Sequence, residues 1–129
     1  MSYRAERRRE RVNVTLRREL DELVRKEIAD PRLAPMTSIT RVECASDLSS
    51  AAVYVSVMGS DRAREESLLA LRSAAGLLRR MMGERVLMRR VPRLVFVGDR
   101  TLADAAAMLA LMDRVAREDE RSAEGSDER

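Results

Sequence analysis

Leu68, Leu71, Ala75, Leu78 and Met82 advance along the chain by threes and fours, and this stripe runs unbroken through Gly76. Apolar residues at that spacing fall on one face of a helix, so the segments on both sides of the glycine must pack against the same layer. An interior glycine costs a helix about 1 kcal/mol against alanine. A bend is therefore expected within "SAAG", Ser73 to Gly76, where a missing side chain lets the backbone turn and another backbone approach.

The layer that receives the stripe is read from a change of period. "MTSITRVECA" and "AAVYVSVM" are rich in β-branched residues, and "SDLSS" between them has turn composition, which predicts a β-hairpin. Val53, Val55 and Val57 alternate with Tyr54, Ser56 and Met58, so the valine face is expected against the helices. Val12, Leu16, Leu20, Leu23 and Ile28 predict a first helix from Ala5 to Ala29, ended by Pro31 and Pro35 in "IADPRLAP". Ser60 or Asp61 is the expected N-cap of the next helix. "LVFV" after Pro92 reads as a third strand, apolar on both faces and expected to be central or covered. Thr101 and Asp104 fit the start of a last helix reaching about Arg117, and "EDERSAEGSDER" lacks apolar period and is expected to be disordered. The chain thus reads as one α+β domain: helices on one face of a three-stranded sheet, followed by a C-terminal helix over 101–117 and an acidic tail over 118–129.

Composition removes most enzyme chemistries. With no histidine and the single Cys44, one chain cannot build a disulfide framework, a Cys/His zinc site or a histidine-paired nucleophile. A phosphate-binding G-x-x-x-x-G-K-[ST] loop is missing as well. No apolar run reaches the roughly 20 residues of a membrane span and "MSYRAERRRERV" has no apolar leader, so a cytoplasmic protein without cofactor, metal or small-molecule substrate is expected. Nothing in the sequence demands more than a monomer.

Charge is unevenly distributed. The net charge is +3, yet residues 1–26 carry +4, residues 71–93 carry +6 and residues 113–129 carry −3. Two basic regions of this kind outline a protein that docks on a polyanion. Arg4, Arg7, Arg8, Arg9 and Arg11 are expected ahead of the settled first helix, Arg72 and Arg79 lie seven apart as if on one helical face with Arg80 beside them, and Arg89, Arg90 and Arg93 flank the third strand. Arginine suits phosphate because its planar fork pairs bidentately and its charge is permanent. Only Tyr3, Tyr54 and Phe96 are aromatic, which argues against base stacking on aromatic platforms as the main mode of binding. Each arginine also has a plainer reading, as a solvated charge or, for Arg93, as a stem covering apolar surface.

Other reactive types have structural explanations. Cys44 is expected to pack on the sheet, Asp30 and Asp47 to bond to local turn backbone, and Met81, Met82, Met88, Met108 and Met112 to fill the core.

"EIADPRL", "MTSITRVE", "SDLSSAAVYVS", "SAAG", "LLRRMMGERVLMRRVPRLVF" and Asp99 occur in this order between Arg11 and Thr101, and by them the chain resembles the ribosome-binding factor A family of bacterial small-subunit maturation factors. The resemblance implies a type II KH-like fold, α-β-β-α-kink-α-β, over residues 1–100 with its core from about residue 5. The usual Gly-x-x-Gly loop is replaced by an interhelical kink at Ala74, Ala75 and Gly76. It further implies a non-catalytic factor that binds free 30S small ribosomal subunits and 16S rRNA and assists late assembly and processing of the 16S rRNA 5′ end. Arg7, Arg8, Arg9, Arg11, Arg72, Arg79, Arg80, Arg89, Arg90 and Arg93 are then the candidate rRNA contacts. A different class, a protein-interaction module without direct RNA contact, would show little salt dependence in its binding, whereas phosphate contacts release counterions and weaken steeply with salt.

Overall fold

A computed structural model describes residues 3–99 and 109–117. They fall into two compact units, one ending at Asp99 and the other starting at Arg100. The first unit runs α1 (Tyr3–Glu27), β1 (Thr37–Cys44), β2 (Ser50–Val57), α2 (Asp61–Ser73), α3 (Ala75–Arg85) and β3 (Arg93–Gly98). The sheet order is β1-β2-β3, with β1 antiparallel to β2 and β3 parallel to it. In the second unit residues 109–117 are helical and exposed throughout, with an Arg117 to Asp113 ion pair at 2.9 Å.

The helical stripes and the valine face meet as their periods require. Leu16, Leu20, Leu23 and Val24 of α1, Leu68 and Leu71 of α2, and Leu78 and Met82 of α3 are buried together with Val53, Val55, Val57 and Phe96 of the sheet. Ala75 of the stripe is only partly buried.

Side chains of α1 cover the free edge of β1. Asp21 accepts from the Ile39 amide (3.0 Å) and Asn13 from the Cys44 amide (2.8 Å), satisfying strand donors that have no neighbouring strand. Thr40 sits in a register irregularity between Ile39 and Arg41, and its hydroxyl donates to Asp99 at 2.7 Å.

The break after α1 is a hydrogen-bonded turn. Asp30 accepts from the Arg32 amide (2.9 Å) and guanidinium (2.8 Å), and the Leu33 amide closes back onto the Asp30 carbonyl. These bonds hold the Asp30 carboxyl below its ordinary pKa, the Arg32 side chain contributing most. Ser67, fully buried in α2, fastens this turn from below: it accepts from the Ala34 amide at 3.0 Å and donates to the Arg32 carbonyl. Asp47 likewise accepts from the Ser49 hydroxyl and amide, which lower its pKa. Cys44 is buried, and burial pushes its thiol pKa up, away from nucleophilic reactivity.

Several readings of the sequence are corrected. α1 begins at Tyr3 and ends at Glu27, so Arg4 to Arg11 lie on the helix rather than ahead of it. β3 is neither central nor covered: it occupies the sheet edge, with Val95 50% and Val97 37% exposed. Its apolar run on both faces misled because one face packs Leu94 and Phe96 into the core while the other stays open. Met112 is 60% exposed rather than core, on a helical segment that is exposed all round. Thr101, Asp104, Met108 and the tail lie outside the described residues.

Candidate nucleic-acid interface

The two helices that share the apolar stripe separate at a single residue. Ser60 caps the start of α2, accepting from the Ala63 amide at 3.1 Å. Ala74 ends α2 and opens α3, with φ −90° and ψ 0°, and its amide bonds back to the Ala70 and Leu71 carbonyls. The chain therefore bends at Ala74, and Gly76 lies inside the first turn of α3.

A Cβ built on Gly76 would meet no atom within 4 Å, so no second backbone approaches it and the expected close packing is absent. The glycine instead leaves bare backbone in the wall of an open cleft of about 630 Å³ between the helix break and β3.

Three arginines from three elements converge on that cleft: Arg72 of α2, Arg79 of α3 and Arg93 of β3. Because the helix is broken, Arg72 and Arg79 do not share one helical face, yet the bend brings both to one cavity. Arg72 donates to the Phe96 carbonyl at 3.1 Å and Arg79 to the Val91 carbonyl at 3.0 Å. Each engages a neutral carbonyl, so its positive charge is not neutralised, and each holds its helix to β3 or its lead-in. No carboxylate lines the cleft among the described residues. Cations around an open cavity without a counter-charge favour an anionic occupant.

A second basic cleft, about 440 Å³, lies at the end of the sheet, where Arg8 of α1 meets Arg89 and Arg90 of the connection between α3 and β3. The hairpin turn contributes Leu48, which adopts φ 59°. A left-handed leucine is strained, since its Cβ crowds the following carbonyl. Leu87 stands fully exposed in the same cleft.

The remaining candidates join neither cleft. Arg80 and Arg11 are exposed, Arg9 is half-buried, and Arg7 donates to the Tyr3 hydroxyl at 3.3 Å with its guanidinium 5.4 Å from that ring. Sequence reasoning missed Leu48, Ser49 and Leu87. The visible signal was a leucine inside the otherwise polar turn "SDLSS" and a second leucine between the helix end and an Arg-Arg pair.

Helix, hairpin, two helices joined by a bend and a parallel edge strand make a KH-like α+β domain, here with arginine-lined clefts. The family model for ribosome-binding factor A matches residues 8–112, and the chain belongs to that family. The ribosome-binding factor A of Clostridium perfringens is 39% identical over 109 residues, covering 84% of this chain and 94% of that protein. The crystal structure of ribosome-binding factor A from Thermus thermophilus superposes with TM-score 0.64 at 32% identity, over 72% of this chain and 97% of that one. A homology model of the Thermus thermophilus factor, fitted into a cryo-electron microscopy map of its complex with the 30S subunit, superposes with TM-score 0.57 at 34% identity, over 67% and 90%.

Proposed function

We propose that this chain is a non-catalytic maturation factor that binds the free small ribosomal subunit and contacts 16S rRNA through its two arginine clefts, assisting late assembly and processing of the 16S rRNA 5′ end. The observation that bears this reading is the convergence of Arg72, Arg79 and Arg93 on one open cavity without a lining carboxylate, in a family with a relative fitted into a 30S complex. With no Gly-x-x-Gly loop to clamp nucleotides, recognition rests on phosphate position and shape. The fold supplies rigidity: both cleft arginines on the helices are tied to backbone carbonyls, so their donors are pre-positioned and little side-chain entropy is lost on binding. KH-like residues 1–100 form the RNA-binding domain in this reading, which acts as a cytoplasmic monomer.

The test is sedimentation of the tagged protein through a sucrose gradient of cell lysate at low and moderate salt. Co-migration with free small subunits, exclusion from full ribosomes and release by salt are expected. A protein at the top of the gradient under both conditions overturns the reading. The exposed Leu109, Leu111, Met112 and Val115 of residues 109–117 favour a second reading, a protein-interaction module. Subunit binding insensitive to salt would support it.

A further inference from the structure

We infer that the cleft of Arg8, Leu48, Leu87, Met88, Arg89 and Arg90 accepts one unstacked nucleobase of a single-stranded RNA segment whose phosphates run on into the Arg72, Arg79 and Arg93 cleft. This rests on the RNA-binding reading above and names the ligand class of its second site.

The two clefts differ in chemistry. Phosphate recognition needs cations, and Arg8, Arg89 and Arg90 supply them from segments far apart in sequence. Phosphate does not need an apolar floor, yet Leu48 and Met88 pack on the core from one side and line this cleft on the other, and Leu87 is fully exposed there. The flat face of a base is the part of a nucleic acid that gains from aliphatic contact. In a duplex that face is stacked and the grooves offer only edges, hydroxyls and phosphates. An apolar floor rimmed by arginines therefore fits a base taken out of its stack, with its own phosphates on the rim. The volume, about 440 Å³, lies within the range of roughly 300–1,000 Å³ usual for small-ligand sites.

Asp47 is the one carboxylate in the lining, and one of its oxygens accepts both the Ser49 hydroxyl and the Ser49 amide. It braces the turn that presents the strained Leu48. The clefts also adjoin: Ser49 lines this one and the next residue, Ser50, lines the other. Consecutive Cα atoms are about 3.8 Å apart, which puts the two linings within reach of one oligonucleotide. A rim of three arginines favours a polyanion over a protein partner.

The experiment is fluorescence anisotropy at low salt with the full chain, comparing hexacytidine RNA with a hexamer of the same ribose-phosphate backbone lacking bases. Hexacytidine is expected to bind roughly tenfold tighter, and Leu87→Ser to shrink that difference by about threefold or more while leaving the baseless hexamer within about twofold. Leu87 is solvent-exposed, so L87S retains the fold, checked by thermal melting. Equal binding of the two hexamers, or a difference that L87S leaves intact, overturns the base cleft. If neither hexamer binds while subunit co-sedimentation persists, the base cleft falls and the RNA-binding reading stands; if co-sedimentation fails too, both fall.

Discussion

The outer face of α1 and the cleft at the helix break are both rich in basic residues, but they use them differently. On α1, Lys26 pairs with Glu22 at 3.0 Å and Arg25 with Asp21 at 2.9 Å, while Arg85 of α3 reaches Glu19 at 3.2 Å and Glu22 at 3.6 Å. Glu22 is consequently held below its ordinary pKa, chiefly by the hydrogen bond from Lys26. Around the helix break, Arg72 and Arg79 engage carbonyls, and Arg80 and Arg93 make no ion pair among the described residues. Basic side chains thus stand beside carboxylates in one place and without them in the other. Charge counted along a sequence says where cations are; only the positions of the anions say which cations are free.

The sharpest way to break this contrast is charge reversal on both faces. Arg80→Glu with Arg93→Glu should weaken binding to purified small subunits on the order of 100-fold at moderate salt, whereas Arg25→Glu with Lys26→Glu should cost less than about threefold. Filter binding of both variants decides it, and similar losses would remove the distinction between free and paired arginines.

Stability should report the reverse pattern. Ser67→Ala strands the Ala34 amide and should lower unfolding free energy by about 1–3 kcal/mol, measured by urea titration, with subunit affinity of the folded protein unchanged. The Arg80 and Arg93 reversals should leave the urea midpoint close to wild type, since neither side chain has a partner to lose among the described residues.

Gly76→Ala separates the two roles at a single position. Open space surrounds the added methyl, so stability should hold or rise by up to about 1 kcal/mol. Subunit affinity should fall a few-fold because the methyl enters the cleft wall, and a variant that binds as well as wild type would deny Gly76 any part in the interface.

The smallest effect concerns acid. Bonds to Arg32 lower the folded-state pKa of Asp30, so its contribution is complete above the ordinary carboxylate pKa and fades as pH falls through the lowered value. Asp30→Asn should flatten the acid flank of a Tm-against-pH curve at pH below about 4 and leave neutral-pH subunit binding unchanged. A parallel downward shift at every pH would assign Asp30 a purely neutral hydrogen-bonding role.

Element order, the hairpin, the buried valine face, the Ser60 cap and the turn roles of Asp30 and Asp47 were legible because they depend on local period and short-range hydrogen bonding. The place of β3 was not. "LVFV" has the same apolar run whether a strand is central or at an edge, and only its Leu94 and Phe96 face meets the core, which leaves Val95 and Val97 in the open. Asn13, Asp21 and Ser67 escaped notice for the same reason: each bonds to an amide between 18 and 33 residues away, and nothing in the neighbouring sequence marks it.

The sequence by itself determined which segments are helix or strand, that a break falls within Ser73 to Gly76, and that two stretches carry excess arginine. Tertiary structure alone decided that Arg72, Arg79 and Arg93 share a cleft, that Arg8 joins Arg89 and Arg90 across the end of the sheet, and that Lys26 and Arg25 are paired while Arg80 and Arg93 are not. The physical reason is range. Backbone propensity and period act over a few residues, whereas an electrostatic site is defined by distances of a few ångströms between groups that the chain brings together only when it folds.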